Sequence, residues 1–334
     1  HKEEFIAASM STTLTNTSKL REYVEELKRL KVEVVRPSIN NCFAEFKAET
    51  NKIFYGLGAI KSVGFEAISN IVNEREKNGK FKSFLDFINR VNPKDVNKLQ
   101  LEGLVKSGAF DEIDLNRRKL VESIPKIIST IKSKHDEKIS NQSNLFDSDS
   151  NKENENFEFE TFDKWSSKEL LAEEFNSLGF YISDHPLNEY KEFFTQLAID
   201  PYKDFINSSK SEALVAGTIM SIQEKKSAKG TSFAIVKFSD NHSEFEIFLF
   251  SDLLILNRDK LKESNSFVLT LQKDRVNAET GQRRINIKKL VDLSDIVNKT
   301  YKSVSIELSD KKKIKELNEL LSKNGETKIN VVLS

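Results

Sequence analysis

The sequence predicts a multidomain α+β chain: a helical region, then a five-stranded β-barrel, then the start of a small α/β unit. Three observations carry this. Apolar residues recur at helical spacing through most of residues 17–134. A tract at 135–163, rich in Asn, Ser, Asp and Glu, interrupts that pattern. From about Glu212, β-branched and aromatic residues alternate at period two. The length of 334 residues suits about two or three domains.

The first clear helix carries Leu20, Val24, Leu27 and Leu30 on one face, with charged residues between them. Asn16, Thr17 or Ser18 supplies its N-cap oxygen. Val32 to Val35 is a short extended run closed by Pro37, and Lys52 to Leu57 is a second. Residues 59–116 read as short helices punctuated by Gly64, Gly79, Pro93, Gly103 and Gly108. A further helix covers 117–134. After the polar tract, which reads as a flexible surface linker, a helix is expected over Ser167 to Leu178, stopping at Gly179. His185-Pro186 marks a turn, His185 being satisfied locally, and a short helix follows over 188–197.

Five strands are expected at 213–223, 232–239, 244–250, 267–273 and 283–291, with a helix at 252–261. Five strands with a helix between the third and fourth is the order of an OB-fold barrel. A strand (304–308), a helix (310–321) and a strand (328–333) then begin a third unit, which reads as truncated.

Composition narrows the chemistry. The 52 basic side chains balance 52 acidic ones, so nucleic-acid binding must come from local basic patches. No stretch approaches the roughly 18 unbroken apolar residues of a membrane span. A single cysteine, Cys42, excludes an internal disulfide framework and a cysteine-rich zinc site, and a reducing cytoplasm is the expected location. His1, His135, His185 and His242 lie far apart, so no metal or zinc ligand set is expected. There is no phosphate-binding Gly-x-x-x-x-Gly-Lys loop. No paired carboxylates sit on an apolar strand as two-metal nucleotidyl transfer requires; Asp147 and Asp149 are near one another only in the polar tract. Trp165 and Cys42 read as packing residues. No catalytic residue is expected in the chain.

Three segments carry binding chemistry. In Gly58 to Ile68, two helices joined by a tight turn ending in Gly64 would present backbone N–H groups at the second helix's N-terminus. Those groups and the helix dipole favour a phosphate oxygen. Lys61, Ser62, Val63 and Gly64 are the candidate duplex DNA contacts. The arrangement resembles a helix-hairpin-helix motif, which grips DNA backbone without reading sequence. Such hairpins usually carry glycine at both ends of the turn, and here the first is Ser62. An ordinary turn with a capping glycine is the competing reading.

The second segment is Gln142-Ser143-Asn144-Leu145-Phe146, an apolar pair stranded in the acidic tract. It resembles the clamp-binding pentapeptide of bacterial replication proteins. Leu145 and Phe146 would fill a pocket on a ring-shaped clamp, at roughly 1.5–3 kcal/mol each before ordering costs. Gln142 would hydrogen-bond at the pocket rim. Folding back onto their own domain is the alternative. The third segment is the barrel's basic rim: Lys225, Lys226 and Lys229 after the first strand, and Arg275, Arg283 and Arg284 around the loop before the fifth. With Phe233 and Phe248 on nearby strands, these suit single-strand binding by charge and stacking. Solvated turns and core packing are the alternatives.

The order of these parts resembles the C-terminal third of the alpha subunit of bacterial DNA polymerase III, the C-family replicative polymerase. The resemblance rests on His1 to Ala8, which reads as a cut into a longer chain, on Arg36-Pro37-Ser38-Ile39-Asn40, and on Tyr55 to Lys61. It continues through Leu104 to Asp111 and Leu178 to Leu187, and on to about Leu293. It implies an organisation: 1–50, the end of a fingers-like helical region; 51–134, a helix-hairpin-helix, clamp-binding-type domain; 135–163, the linker. The remainder would be a helical connector at 164–211, the OB-fold at 212–295 and the truncated unit at 302–334.

It also implies template-directed, magnesium-dependent DNA synthesis by the parent subunit, with the palm carboxylates absent from this piece. This piece would therefore be inactive alone and would carry no cofactor. Its implied partners are DNA, the sliding clamp (beta subunit), the clamp loader's tau subunit and other polymerase III core subunits, with no membrane. Two rival readings share the same parts: a free-standing single-strand-binding accessory protein, and a tRNA-binding OB-fold module.

Overall fold

The computed structural model describes residues 2–139, 159–228, 230–274, 283–297, 303–311, 313–321 and 328–333. They fall into two compact units, His1–Phe193 and Phe194–Ser334. Among the described residues no helix is long and apolar enough to cross a membrane.

The first unit opens with α1 (Lys2–Ser11) and α2 (Thr17–Arg29). Asn16 caps α2, its side chain accepting from the Lys19 amide at 3.1 Å, and Leu20, Val24 and Leu27 are buried as their spacing requires. Three short strands follow: β1 (Glu33–Val35), β2 (Lys47–Glu49) and β3 (Lys52–Phe54). They form one sheet in the order β1-β3-β2, with β3 parallel to β1 and antiparallel to β2. β2 carries too few apolar residues to be visible as a strand; its tight turn to β3, with Asn51 at φ +59°, makes the pairing.

Helices α3 (Phe65–Asn78), α4 (Phe84–Arg90), α5 (Lys98–Lys106), α6 (Arg117–Ile139) and α7 (Ser167–Leu178) complete the unit. α6 continues to Ile139, beyond the boundary expected at 134. The core between α4 and the start of α6 is aromatic. Phe110 meets Phe84 and Phe87 edge-on at 4.9 and 5.0 Å, and Phe81 meets Phe87 edge-on at 5.0 Å. Two ionic contacts fix the chain around it. Arg117, almost wholly buried, grips both carboxylate oxygens of Asp111 at 2.8 and 2.6 Å. Glu174 of α7, also buried, accepts from the Ile182 and Ser183 amides at 2.8 and 2.9 Å. His185 is a turn residue satisfied locally, its Nδ1 accepting from the Leu187 amide. The helix expected at 188–197 is split into a 3-10 turn (Pro186–Tyr190) and α8 (Lys191–Gln196).

In the second unit α9 (Tyr202–Asn207) precedes five strands: β4 (Glu212–Lys226), β5 (Ser232–Ser239), β6 (Glu244–Leu249), β7 (Ser266–Lys273) and β8 (Ile285–Asp292). Helix α10 (Ser251–Asn257) sits between β6 and β7, and α11 (Leu293–Val297) follows β8. The sheet is antiparallel throughout, in the order β6-β5-β4-β7-β8. β4 serves both halves: its first residues pair with β7 and its last with β5, across an irregularity between Ile219 and Ser221.

The expected barrel is not closed. Among the described residues no ladder joins β6 to β8, so both remain edge strands. The core is instead sealed by helices. Leu254 of α10 and Phe205 of α9 are buried against Val215, Ile219, Val236, Phe238, Ile247 and Leu269. The stacked pair Tyr202–Phe245, with centroids 4.0 Å apart, anchors α9 to the sheet. Six residues of Pro-led sequence hid α9, which is held by these contacts more than by its own periodicity. Last come β9 (Ser303–Leu308), α12 (Lys313–Leu320) and β10 (Lys328–Leu333), the two strands pairing in parallel.

Candidate nucleic-acid interface

The hairpin lies between β3 and α3. A 3-10 turn, Leu57–Ala59, stands where a first helix was expected. The reason is local. The Leu57 and Gly58 amides donate to Phe43 and Ala44 carbonyls at 2.8 and 3.0 Å, and Ile60 is already extended. The extended backbone of Ile60 ends the turn, so the Lys61 amide does not reach the Leu57 carbonyl as a continuing helix would require.

The four candidate residues are tied in unequally. Lys61 and Val63 are held by their own protein. The Lys61 amide donates to the Ser177 carbonyl at the end of α7 (2.9 Å), and the Val63 amide to Ile60 (3.1 Å). The Lys61 ammonium lies over Gly179, 3.4 Å from where a Cβ would stand. Gly179 ends α7 in the left-handed conformation (φ +84°), and its carbonyl accepts from Arg21 at 2.8 Å. Val63 is buried, whereas Ser62 and Gly64 are exposed. Ser62 takes φ +66°, a conformation that glycine adopts most readily. Gly64 precedes α3 in ordinary extended geometry (φ −80°) with no side-chain cap. The first turn of α3 therefore presents its N-terminal amides at the surface. Glu66 is exposed in that turn, and its charge opposes an incoming phosphate.

Helix α5 braces the turn from behind. A Cβ on Gly103 would lie 2.9 Å from the Lys61 carbonyl oxygen, so only glycine lets the helix come this close. Far from punctuating helices, Gly103 sits inside one. At the start of α5, Asn97 and Gln100 form a reciprocal capping box, and the Gln100 Nε2 lies 3.3 Å from the Cβ position of Gly64. Gln100, Gly103 and Gly179 are the residues the sequence reading missed. A glycine within a helical pattern was the available signal for Gly103.

The sheet carries the second candidate surface. Lys225 stands directly opposite Phe233 and Lys226 opposite Ser232, both lysines exposed. Arg283 and Arg284 lead into β8, where the Arg284 carbonyl accepts from Asp274 at 2.9 Å. Strand register sets the two basic groups towards opposite ends of β4, because β7, with β8 beyond it, pairs along the first half of β4 and β5 along the second. The rings of Phe233 and Phe248 are roughly parallel, 6.3 Å apart, and Phe248 is exposed rather than packed in the core. Gln142, Leu145, Phe146, Lys229 and Arg275 lie outside the described residues.

Among the described residues no three His, Cys, Asp or Glu side chains gather around one point. Cys42 is buried, and burial pushes its thiol up to about 11.

A glycine-ended turn feeding amides at a helix start resembles a helix-hairpin-helix motif in which a 3-10 turn takes the place of the first helix. A family model described as "Helix-hairpin-helix motif" matches residues 31–120, which span β1 to the start of α6. The similarity extends further. The chain is 32% identical to DNA polymerase III subunit alpha of Borreliella burgdorferi over 96% of its own length and 29% of that protein's. It is 32% identical to that of Caulobacter vibrioides over 84% of the chain and 24% of the relative. Against Pasteurella multocida the identity is 28%, covering 96% and 28%. The chain is thus related, over nearly its whole length, to part of the alpha subunit of bacterial DNA polymerase III. It spans less than a third of the length of these relatives.

Proposed function

We propose that this chain is the DNA- and partner-contacting portion of a replicative polymerase alpha subunit. The observation that carries it is the hairpin: exposed amides at the start of α3, behind Ser62 and Gly64, within the segment matched by the helix-hairpin-helix model. Amides and a helix dipole suit a backbone phosphate and carry no sequence preference. A polymerase that moves along any template needs such a grip. In this reading Lys61 contributes mainly by fixing the turn to α7, and Ser62 and Gly64 line the phosphate's approach.

The sheet takes single-stranded template, as its strand order, like that of an OB-fold, and the lysines at the end of β4 suggest. Gln142, Leu145 and Phe146 dock on the sliding clamp, so that a polymerase that releases the primer end stays beside it. The β9–α12–β10 segment contributes to tau binding. Nucleotide addition, with its magnesium, belongs to carboxylates elsewhere in the longer subunit, and this chain alone is inactive. The setting is the bacterial cytoplasm, among the other core subunits.

Fluorescence anisotropy with labelled duplex tests the hairpin. Gly64→Val is expected to weaken duplex binding while single-strand binding stays. Equal duplex affinity in a folded variant would make the hairpin merely structural. For the clamp contact, Leu145 and Phe146 are both replaced by alanine; a double variant that still binds the clamp like the parent would refute that assignment.

A further inference from the structure

The turn that presents the α3 amides is fixed by helices outside the segment matched by the helix-hairpin-helix model. That segment covers residues 31–120, whereas α2 and α7 lie on either side of it in the chain. Both helices meet at Gly179. Gly179 closes α7 with φ +84°, its amide donating to the Phe175 carbonyl at 2.6 Å. From α2, the buried Arg21 donates to the Gly179 carbonyl at 2.8 Å, and Thr17 fills the space that a Cβ on Gly179 would need. From the turn, Lys61 lays its side chain over the same residue, Cε and Nζ each 3.4 Å from that Cβ position. Two cations thus reach the carboxyl end of α7, where the helix dipole favours positive charge.

The Lys61 backbone is held as well. Its amide donates to the carbonyl of Ser177, just before Gly179, at 2.9 Å, and its carbonyl oxygen faces α5 at Gly103. Ser62 follows in its left-handed geometry, then Val63 and Gly64. A shift at the end of α7 therefore passes to the turn through a single peptide group. Arg21 is badly placed to touch DNA itself, because it is only 9% exposed. Arginine is seldom buried unless its donors are engaged, and here one of them holds a backbone carbonyl far away in the chain.

We propose that Arg21 is a positioning residue for duplex binding. Acting through Gly179 and Lys61, it holds Ser62 and Gly64 where the α3 amides can meet a backbone phosphate. The proposal rests on the duplex reading of the hairpin and deepens it, because it extends the DNA-gripping unit to α2 and α7. The start of α3 supplies the donors, and Arg21 supplies their placement. Placement matters because a hydrogen bond weakens steeply as its geometry departs from the optimum.

The test uses the full chain, labelled duplex and fluorescence anisotropy. Arg21→Met removes the donors and keeps the aliphatic bulk. Arg21→Lys keeps a cation that can donate to the Gly179 carbonyl. Arg90→Ala is the control: Arg90 is also largely buried, but it bonds the Gly79 carbonyl at the other end of α3 (2.7 Å) and pairs with Glu74 at 3.1 Å. Arg21→Met should bind duplex on the order of tenfold more weakly, about the effect of one charge-assisted hydrogen bond. Arg21→Lys should recover most of that loss, and Arg90→Ala should bind like the parent.

Salt dependence separates positioning from contact. An arginine that touches no phosphate releases no counterion, so the slope of log affinity against log salt should be the same in parent and Arg21→Met. A slope flatter by about one would make Arg21 a direct phosphate contact and overturn the proposal. Hydrogen exchange locates the effect: the Lys61 amide should exchange faster in Arg21→Met, while amides in the middle of α6 keep the parent's protection. In either Arg21 variant, faster Lys61 exchange with undiminished duplex affinity refutes the role. An equal loss of affinity in Arg21→Met and Arg90→Ala refutes it too, as general loosening. Gly64→Val separates the two levels. If it weakens duplex binding and Arg21→Met does not, only the positioning role falls; if neither does, the duplex reading of the hairpin falls with it.

Discussion

Ser62, not Gly64, bears the unusual backbone geometry of the hairpin: φ is +66° at Ser62 and −80° at Gly64. The two residues divide what glycine at both ends of such a turn would do. Ser62 meets the conformational demand without glycine's freedom, and Gly64 leaves room for the Gln100 amide, which would lie 3.3 Å from a Cβ at that position.

Ser62→Gly should therefore stabilise the first unit. A left-handed residue with a Cβ costs about 1 kcal/mol more than glycine there, reduced somewhat by glycine's greater unfolded-state entropy. Urea unfolding of both proteins measures it. A variant no more stable than the parent would show that neighbouring contacts already absorb the strain.

Gly103→Ala should act in the opposite direction. Its methyl group would press on the Lys61 carbonyl oxygen from 2.9 Å. Overpacking of this kind costs roughly 1–3 kcal/mol and shifts the turn. The expected result is a lower unfolding midpoint with weakened duplex binding, read by urea titration and anisotropy.

Glu66→Gln removes the acidic charge from the first turn of α3 without changing side-chain shape. Duplex affinity should rise a few-fold at low salt, and the gain should shrink as salt screens it. Affinity that stays level at every salt concentration would place the phosphate elsewhere.

Cys42 should be inert in the folded protein. Burial pushes its thiol up to about 11, so at pH 8 the reactive thiolate is scarce and a thiol reagent should label it only after denaturation. The folded state holds the proton more tightly than the unfolded one. This contribution to stability is therefore full below pH 9 and is lost as pH rises towards 11. Urea midpoints at pH 8 and 10 for the parent and Cys42→Ala should diverge accordingly.

Much of this was legible in the sequence because it depends on near neighbours. The cap at Asn16, the apolar face of α2, the stop of α7 at Gly179 and the five strands all follow from residues a few positions apart. The hairpin segment and the kinship with polymerase alpha subunits were likewise readable from motif order. What only the tertiary structure decided involves groups distant in the chain. Sequence could place Lys61 at the turn, but not bring it to Ser177 and Gly179. Nor could it show that Leu254 and Phe205 seal the sheet while β6 and β8 stay unjoined, or that Phe248 faces solvent. Periodicity says that one side of a strand differs from the other. Which side meets water, and what is packed against it, is fixed only when distant segments compete to bury their apolar surface.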